Sequence, residues 1–462
     1  MASIKFWGAT EQVTGSMFEL ELDSGYRVLI DCGLSYEPGQ ELLDNARFPF
    51  NPEEMDLVLL THAHTDHAGN LPTLVNQGFD GAIFCTEPTY DLCDILLTDS
   101  ANIQAHKQKH KGRRLKGKRR LYNHTNVFQT LQHFITWPFD KQIEVNSELK
   151  VKFKEAGHIL GAASIELEVE TSHGTRRIGF SGDIGEVNSK LVVSPAGMTD
   201  LDYLVMESTY GSRMHREKRP AQEVLLEKID QACNQTNGKL IIPAFSVGRT
   251  QAILFTLNQL KARDLLGKTP VFADGKLASF SSKIHQRYAA YLNEETQQHL
   301  NEHPELFRFD GVEVIRDKED QHALQMETGA SILVSSAGML EGGMIRKHVL
   351  DHIENPNCTF LISGYCAPET LGGKLLNGDK QVWVRGNMRY VHAKIDSTDV
   401  FSAHTDQEGL LRFFQYAQEH GNLKKVFLVH GDSDGLSAFS MLLKSKGMDT
   451  VVPVQSQSFE IV

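Results

Sequence analysis

The run Leu57-Val58-Leu59-Leu60-Thr61-His62-Ala63-His64-Thr65-Asp66-His67-Ala68-Gly69 decides how the rest of the chain is read. Its apolar start, Leu57 to Leu60, predicts a short buried strand. Four good metal ligands, His62, His64, Asp66 and His67, follow within six residues. Alternate residues of an extended segment share a side, so His62 and His64 present their imidazoles together. The adjacent Asp66 and His67 must diverge, and one loop can therefore feed two metal centres. Ligand groups packed this densely past a buried strand are not the composition of an ordinary polar loop.

Other ligand candidates stand where predicted strands end. His158 lies in Ala156-Gly157-His158-Ile159-Leu160-Gly161 and Asp183 in Phe180-Ser181-Gly182-Asp183-Ile184-Gly185. His404 ends Phe401-Ser402-Ala403-His404, and His430 ends Val426-Phe427-Leu428-Val429-His430. Each has glycine or a small residue beside it, which lets backbone approach a crowded site. Any one of them alone reads more simply as a cap or a structural group. Taken with the first cluster they read differently, because two divalent ions need roughly six or seven side chains. His62, His64 and His158 make one three-histidine set. Asp66, His67 and His430 make the other, with Asp183 bridging. This leaves positions open for a bridging hydroxide. The His/Asp mixture favours zinc.

Composition sets the frame. The length, 462 residues, suggests two or three domains, and 40% hydrophobic with 23% charged residues is a globular balance. There is no apolar run of 18 residues to span a membrane and no signal-peptide core at the N-terminus. Six scattered cysteines without a CxxC pair read as reduced thiols in a cytoplasmic protein. The net charge of -12 by itself argues against a nucleic-acid-binding protein. Yet residues 107 to 120 hold nine Lys/Arg and no acid. That block is a local polyanion-binding candidate or, equally well, a solvated loop.

Punctuation gives the architecture. Up to about residue 210 the pattern is strand-rich: Phe18 to Leu22, Arg27 to Asp31, Ala82 to Cys85, Ile143 to Lys154, Ser164 to Glu170, Arg177 to Ser181 and Tyr203 to Glu207, with a long helix from Glu87 to Lys109. From about Gly211 strand and helix alternate. Helices are expected at Ala221 to Asn234, Thr250 to Ala262, Ser281 to Leu292 and Gly343 to His352. They separate strands at Lys239 to Pro243, Thr269 to Ala273, Ser331 to Ser335 and Cys358 to Ser363, the rhythm of a doubly wound parallel sheet. After Val391 short strands resume around a helix from Gln407 to His420, and no internal repeat is seen.

These motifs together resemble the metallo-β-lactamase superfamily and, within it, the β-CASP group of RNA-processing nucleases. Gly8-Ala9-Thr10-Glu11-Gln12-Val13-Thr14-Gly15-Ser16 is similar to that group's opening turn, and Asp31 to its first acidic motif, which orients the ligand loop. Met206-Glu207-Ser208-Thr209-Tyr210-Gly211 announces the inserted domain. Ile242 to Gln251 and Ser335-Ser336-Ala337-Gly338-Met339 continue it. The likeness spans essentially the whole chain. The resemblance implies an α/β fold: a metallo-β-lactamase αββα sandwich in two parts, 1-209 and 392-462, interrupted by a doubly wound parallel α/β (β-CASP) domain, 210-391. The branch most similar holds the endonuclease subunit of the cleavage and polyadenylation specificity factor and its prokaryotic relatives. DNA-repair members of the group lack a histidine at the position of His430, and this chain has one.

By the same resemblance, two Zn2+ ions hold a hydroxide that attacks an RNA phosphodiester. Glu207 hydrogen-bonds His404, and His404 protonates the leaving oxygen. Asp66 serves the catalytic centre as well as the metal. Arg249, Ser336 and Gly338 contact flanking phosphates of single-stranded RNA threaded between the domains. The implied activity is endonucleolytic, with 5′–3′ exonuclease activity as an additional mode and a homodimer left open. Three departures bear on substrate: Ala337 replaces a serine, Glu369 and Gly373 make the substrate face less cationic, and Asp432 follows His430-Gly431 where Glu is usual. The alternative is a dimetal hydrolase acting on DNA or on a small phosphodiester or ester. A non-catalytic binding subunit is disfavoured, because no ligand is missing.

Overall fold

The structure, a computed structural model, describes all residues except 37–43, 111–119 and 188, and the backbone alone at 44, 107–110 and 318. The basic run 107–120 therefore lies largely outside the described residues. The described chain forms two compact units. One comprises Met1–Val187, Ser194–Met214 and His404–Val462, the other Asn188–Val193 and His215–Ala403.

The first unit is built on two seven-stranded sheets. One runs Ser458–Glu460, Ser3–Phe6, Phe18–Glu21, Arg27–Ile30, Leu57–Leu59, Ala82–Cys85, Phe134–Thr136 in spatial order. The other runs Thr450–Val451, Lys425–Val429, Tyr203–Glu207, Gly174–Phe180, Ala163–Thr171, Leu149–Glu155, Gln142–Glu144. Strand pleat sorts their side chains. Phe6, Ile30, Leu57 and Leu59 of the first sheet meet Phe153, Ile178, Phe180, Val205 and Phe427 of the second in one fully buried layer. Phe6 and Phe427 touch across that layer with centroids 5.2 Å apart, and Phe18 stacks on Phe180 at 6.2 Å. Burying each such ring stabilises the fold by roughly 1.5–3 kcal/mol.

The alternate residues of the second sheet, Leu204, Met206, Val426 and Leu428, face outward onto helices Gln407–Glu419 and Ser433–Ser445. Leu410, Phe413, Phe414, Leu436 and Phe439 form the apolar stripes of those helices. Asp406 and Asp432 cap the two helices, accepting the amide N–H of Gly409 and Gly435. The departure at Asp432 thus begins a helix. Helices Leu71–Asn76, Glu87–His110 and His124–Leu131 accompany the first sheet, completing an αββα sandwich. Both sheets turn from antiparallel to parallel pairing in their interior, from Arg27–Ile30 onward in one and from Gly174–Phe180 onward in the other. The carboxyl ends of these strands are where the ligand candidates stand.

The second unit has a six-stranded, wholly parallel sheet in the order Val312–Ile315, Val271–Asp274, Ser331–Ser335, Lys239–Pro243, Thr359–Ile362, Lys394–Ser397. Ile241, Phe272, Leu333 and Phe360 pack against Ile345, Val349, Leu371 and Leu375 in its core. Strand Lys394–Ser397 pairs with Thr359–Ile362 as far as Ile362↔Ser397, so this sheet extends beyond residue 391 and the compact unit closes only at Ala403. The helix expected over Ser281 to Leu292 is Lys276–Arg287, with a short 3-10 turn at Ala289–Tyr291. Its start is fixed by Gly275 directly after strand Val271–Asp274. Ala221–Ile229 gives way to a π-turn over Asp230–Asn234, where one helix is expected.

Candidate metal centre

His62, His64, Asp66 and His67 ride on the loop and single helical turn, Thr65–Ala68, that follow strand Leu57–Leu59. Asp31 holds this loop from beneath. Its buried carboxylate accepts the Thr61 amide N–H at 2.7 Å, the Thr61 hydroxyl at 2.8 Å and Nδ1–H of His67 at 2.7 Å. Gly33 lies against the same loop. A Cβ there would stand 1.7 Å from the carbonyl oxygen of Asp66, so the loop closes only over glycine. His158 follows strand Leu149–Glu155 and Asp183 follows Gly174–Phe180. Their loops press together so closely that a Cβ on Gly185 would come within 1.7 Å of the Gly157 carbonyl. His430 ends strand Lys425–Val429 with φ of 49°, anchored by its N–H to the carbonyl of Ala9.

These side chains converge as two donor sets. Nδ1 of His64 lies 3.2 Å from Nε2 of His62 and 3.1 Å from Nε2 of His158. Oδ2 of Asp183 is 3.5 Å from both of the latter nitrogens. In the second set Nε2 of His67 is 3.3 Å from Nε2 of His430, which is 3.6 Å from Oδ2 of Asp66. Oδ1 of Asp183 reaches this set, 3.2 Å from Nε2 of His67. One carboxylate therefore touches both sets.

The donors suit cations. Four ligands about 2.0–2.1 Å from a tetrahedral ion stand roughly 3.3 Å from one another, the spacing found here. Oδ1 of Asp183 is buried and accepts no hydrogen bond, since His67 approaches it without the geometry of one. A buried carboxylate oxygen left so is costly unless a cation faces it. The charge states of His62, His64, Asp183 and Asp66 agree. Burial, helped by the charge of His67, pushes His62 well below the usual imidazole range, and burial takes His64 to about 4, so both offer lone pairs. Burial also opposes ionisation of Asp183 and Asp66. The imidazoles of His430, His67 and His62 nevertheless hold Asp183 well below the carboxylate range, and His430 and His67 hold Asp66 at about 2. Burial opposes the imidazolium of His67, but Asp183 and Asp31 outweigh it and keep that ring well above its ordinary value.

Beside the two sets stands an acid–base pair. Nδ1 of His404 is 3.1 Å from Oε1 and 3.3 Å from Oε2 of Glu207, which is buried. Oε1 also accepts the Ile184 amide N–H at 2.6 Å, and Oε2 that of Thr209 at 3.3 Å. Glu207 thus spends its oxygens on positioning, although it also lies close enough to Asp183 and His430 to form a third ligand grouping with them. Nε2 of His404 is 3.9 Å from Oδ2 of Asp183. Burial works against the imidazolium of His404, while Glu207 and Asp183 more than offset it and raise its pKa to about 9.

Arg249, Ser336 and Gly338 belong to the second unit. Arg249 opens helix Arg249–Ala262, lies over the Phe245 ring at 4.9 Å and donates Nε–H to the carbonyl of Phe401 at 3.3 Å. A Cβ on Gly338 would stand 3.4 Å from its guanidinium and one on Gly364 only 2.7 Å. Ser336 follows strand Ser331–Ser335. Two hydroxyls at the metal centre have no distinctive sequence pattern. Thr61 Oγ1 is 3.1 Å from Nδ1 of His62, and Thr209 Oγ1 is 3.1 Å from Nδ1 of His430. Their only signal was adjacency to the motifs.

Residues 11–230 match the model of the Metallo-beta-lactamase superfamily, 250–375 that of the Beta-Casp domain, and 390–453 that of the Zn-dependent metallo-hydrolase RNA specificity domain. The chain is 30% identical to Ribonuclease TTHA0252 of Thermus thermophilus over 96% of both chains. It is 29% identical to an RNase J-like protein of Methanocaldococcus jannaschii, over 98% of this chain and 99% of the other. It is 28% identical to Transcription termination factor FttA of Methanothermobacter thermautotrophicus, over 100% of this chain and 72% of that one. A crystal structure of a protein of unknown function from Enterococcus faecalis shares the fold, with a TM-score of 0.56 over 99% of each chain at 13% identity.

Proposed function

Because the chain belongs to the metallo-β-lactamase superfamily, in its Beta-Casp branch, and is a metal-dependent hydrolase, we propose that it is a zinc-dependent ribonuclease cutting single-stranded RNA at a two-ion centre. The observation that carries the reading is Asp183, whose two oxygens face two separate donor sets. His62, His64 and His158 would hold one ion, and Asp66, His67 and His430 the other. Bound there, the ions would supply Lewis-acid polarisation of the scissile phosphate and acidification of water.

The chain's own groups do the rest. Glu207 fixes the ring of His404 through Nδ1, which leaves the proton at Nε2 facing the centre. With a pKa held near 9, His404 still carries that proton at neutral pH and delivers it to the departing ribose oxygen. Asp31 keeps the ligand loop in place through Thr61 and His67. Arg249, Ser336 and the backbone at Gly338, in the second unit, are the proposed contacts to RNA phosphates. The names of the relatives, a ribonuclease, an RNase J-like protein and a transcription termination factor, together with the RNA specificity domain, support RNA as the polymer.

The test is direct. Zinc-loaded protein is offered labelled single-stranded RNA, the matching DNA and bis-(p-nitrophenyl) phosphate. Preferential cleavage of RNA is expected. Turnover of the small diester or of DNA with RNA left intact would overturn the assignment and favour the other hydrolase reading, to which Glu369 and Gly373 lend some weight.

A further inference from the structure

The amide N–H of Thr209 supports Glu207, but its hydroxyl belongs neither to the ligands nor to the acid–base pair, and that hydroxyl meets His430 twice. Oγ1 lies 3.1 Å from Nδ1 of the ring and 3.2 Å from the carbonyl oxygen of the same residue. A hydroxyl has one hydrogen to give, and a carbonyl oxygen can only accept. The hydrogen is therefore committed to the carbonyl, and an oxygen lone pair is what Thr209 turns toward the ring. Nδ1 must supply the hydrogen of that second contact. Among the described residues no other hydrogen-bond partner competes for it: Oδ1 of Asp183, the carboxylate oxygen near Nδ1, is 3.6 Å away, beyond hydrogen-bond reach. The unusual backbone of His430, with φ of 49°, brings its own carbonyl and its own ring to the same hydroxyl.

Protonation at Nδ1 leaves the lone pair on Nε2. That is the atom 3.3 Å from Nε2 of His67 and 3.6 Å from Oδ2 of Asp66. The same device occurs in the other donor set. Thr61 Oγ1 donates to Asp31, at 2.8 Å and 3.0 Å from the two oxygens, and so faces Nδ1 of His62 as an acceptor at 3.1 Å. Each set thus holds one histidine whose tautomer is dictated by a threonine with no free hydrogen.

We propose that Thr209 is a positioning residue that locks His430 in its Nδ1–H tautomer and so prepares Nε2 to bind the second metal ion. Partners of this kind are worth ~10–100-fold in metal affinity. The inference rests on the metal-centre reading and concerns only how one ligand is made ready.

The experiment uses the zinc-loaded full chain, with Thr209→Val, Thr209→Ser and wild type. Zinc release is followed by competition with a chromophoric chelator. Nitrogen-15 histidine spectra are recorded on the same samples, with the His430 signals assigned from His430→Gln. In wild type, His430 should show a protonated Nδ1 and a metal-coupled Nε2; the opposite tautomer overturns the proposal whatever the variants do. Thr209→Val should weaken one zinc equivalent by ~10–100-fold and leave the other unchanged. Thr209→Ser should restore both. Wild-type affinity for both equivalents in a folded Thr209→Val protein would overturn the proposal. So would a folded Thr209→Ser protein as weak as the valine variant. Wild type that binds no zinc would instead defeat the metal-centre reading itself, which keeps the two failures distinct.

Discussion

Nδ1 of His404 and Oε1 of Glu207, 197 positions apart in the chain, meet at 3.1 Å beside the donor sets. A carboxylate so placed stabilises the charged ring, and the pKa of His404 stands at about 9 although burial pulls it down. A histidine raised in this way keeps its proton up to that pH and loses it above. The alkaline limb of kcat should therefore lie near pH 9 in wild type and shift to lower pH in Glu207→Gln, which keeps the shape and removes the charge. His404→Ala should lose ~10²–10⁴-fold in kcat with its zinc intact. Rate profiles between pH 6 and 10 with metal analysis check both. A Glu207→Gln profile superimposable on wild type would contradict the pairing.

Metal uptake should expel protons. Burial opposes charge on both rings, but Asp183 and neighbouring carboxylates hold His67 well above and His430 above the ordinary imidazole value, so a metal must displace more proton from them than from free imidazole. A ligating nitrogen must be bare. Calorimetric titration with zinc at pH 7, in two buffers of different ionisation enthalpy, should therefore show net proton release, and affinity should fall as pH is lowered. Buffer-independent heats would contradict these charge states.

The stability of the metal-free fold depends on pH through His64. Its folded value of about 4 lies below the ordinary 6.5, so the unfolded chain binds the proton more tightly. Acidification from pH 6.5 to 4 should destabilise the metal-free protein, and His64→Gln should remove part of that slope. Denaturant midpoints across that window test it.

The bridging position of Asp183 separates two kinds of ligand loss. Its oxygens lie 3.5 Å from Nε2 of His62 and of His158 and 3.2 Å from Nε2 of His67. Asp183→Asn should weaken both zinc equivalents, whereas His158→Ala should weaken one. Equal stoichiometry in the two variants would remove Asp183 from its shared place.

Gly364 offers a test of Arg249. Alanine there would put Cβ 2.7 Å from the guanidinium, which rests on Phe245 and the Phe401 carbonyl. If Arg249 is the phosphate contact proposed above, Gly364→Ala should displace it, raise KM for RNA several-fold, and leave zinc content and saturating kcat alone. An unchanged KM would show that Arg249 serves only its own unit.

Much of this arrangement is legible in the sequence, and the rest is hidden for physical reasons. The Leu57–Leu60 strand and the ligand-dense loop after it announce themselves by polarity and spacing, and His158, Asp183 and His430 by standing at strand ends beside glycine. Coordination chemistry then sorts them into two sets; the structure brings each set together and adds a third grouping of Asp183, Glu207 and His430. The pairing of Glu207 with His404 came from family likeness alone, because no local pattern links residues so far apart. Thr61 and Thr209 were passed over since a threonine hydroxyl is unremarkable until its partners are known. Helix Glu294–Glu302 was missed because it is polar nearly all round and is announced only by the Asn293 cap. Strand Lys394–Ser397 is short and half-exposed, and so the edge it adds to the second sheet could not be read.

The central claim is that this chain hydrolyses RNA through ions held by His62, His64, His158, Asp66, His67, His430 and Asp183. The measurement that bears on it most directly is metal content by mass spectrometry alongside cleavage of labelled single-stranded RNA, before chelation, after it, and after zinc is returned. The account predicts about two zinc ions per chain, cleavage abolished with their removal, and recovery on reloading. A folded protein that takes up no stoichiometric metal, or that cuts RNA equally well without it, would contradict it.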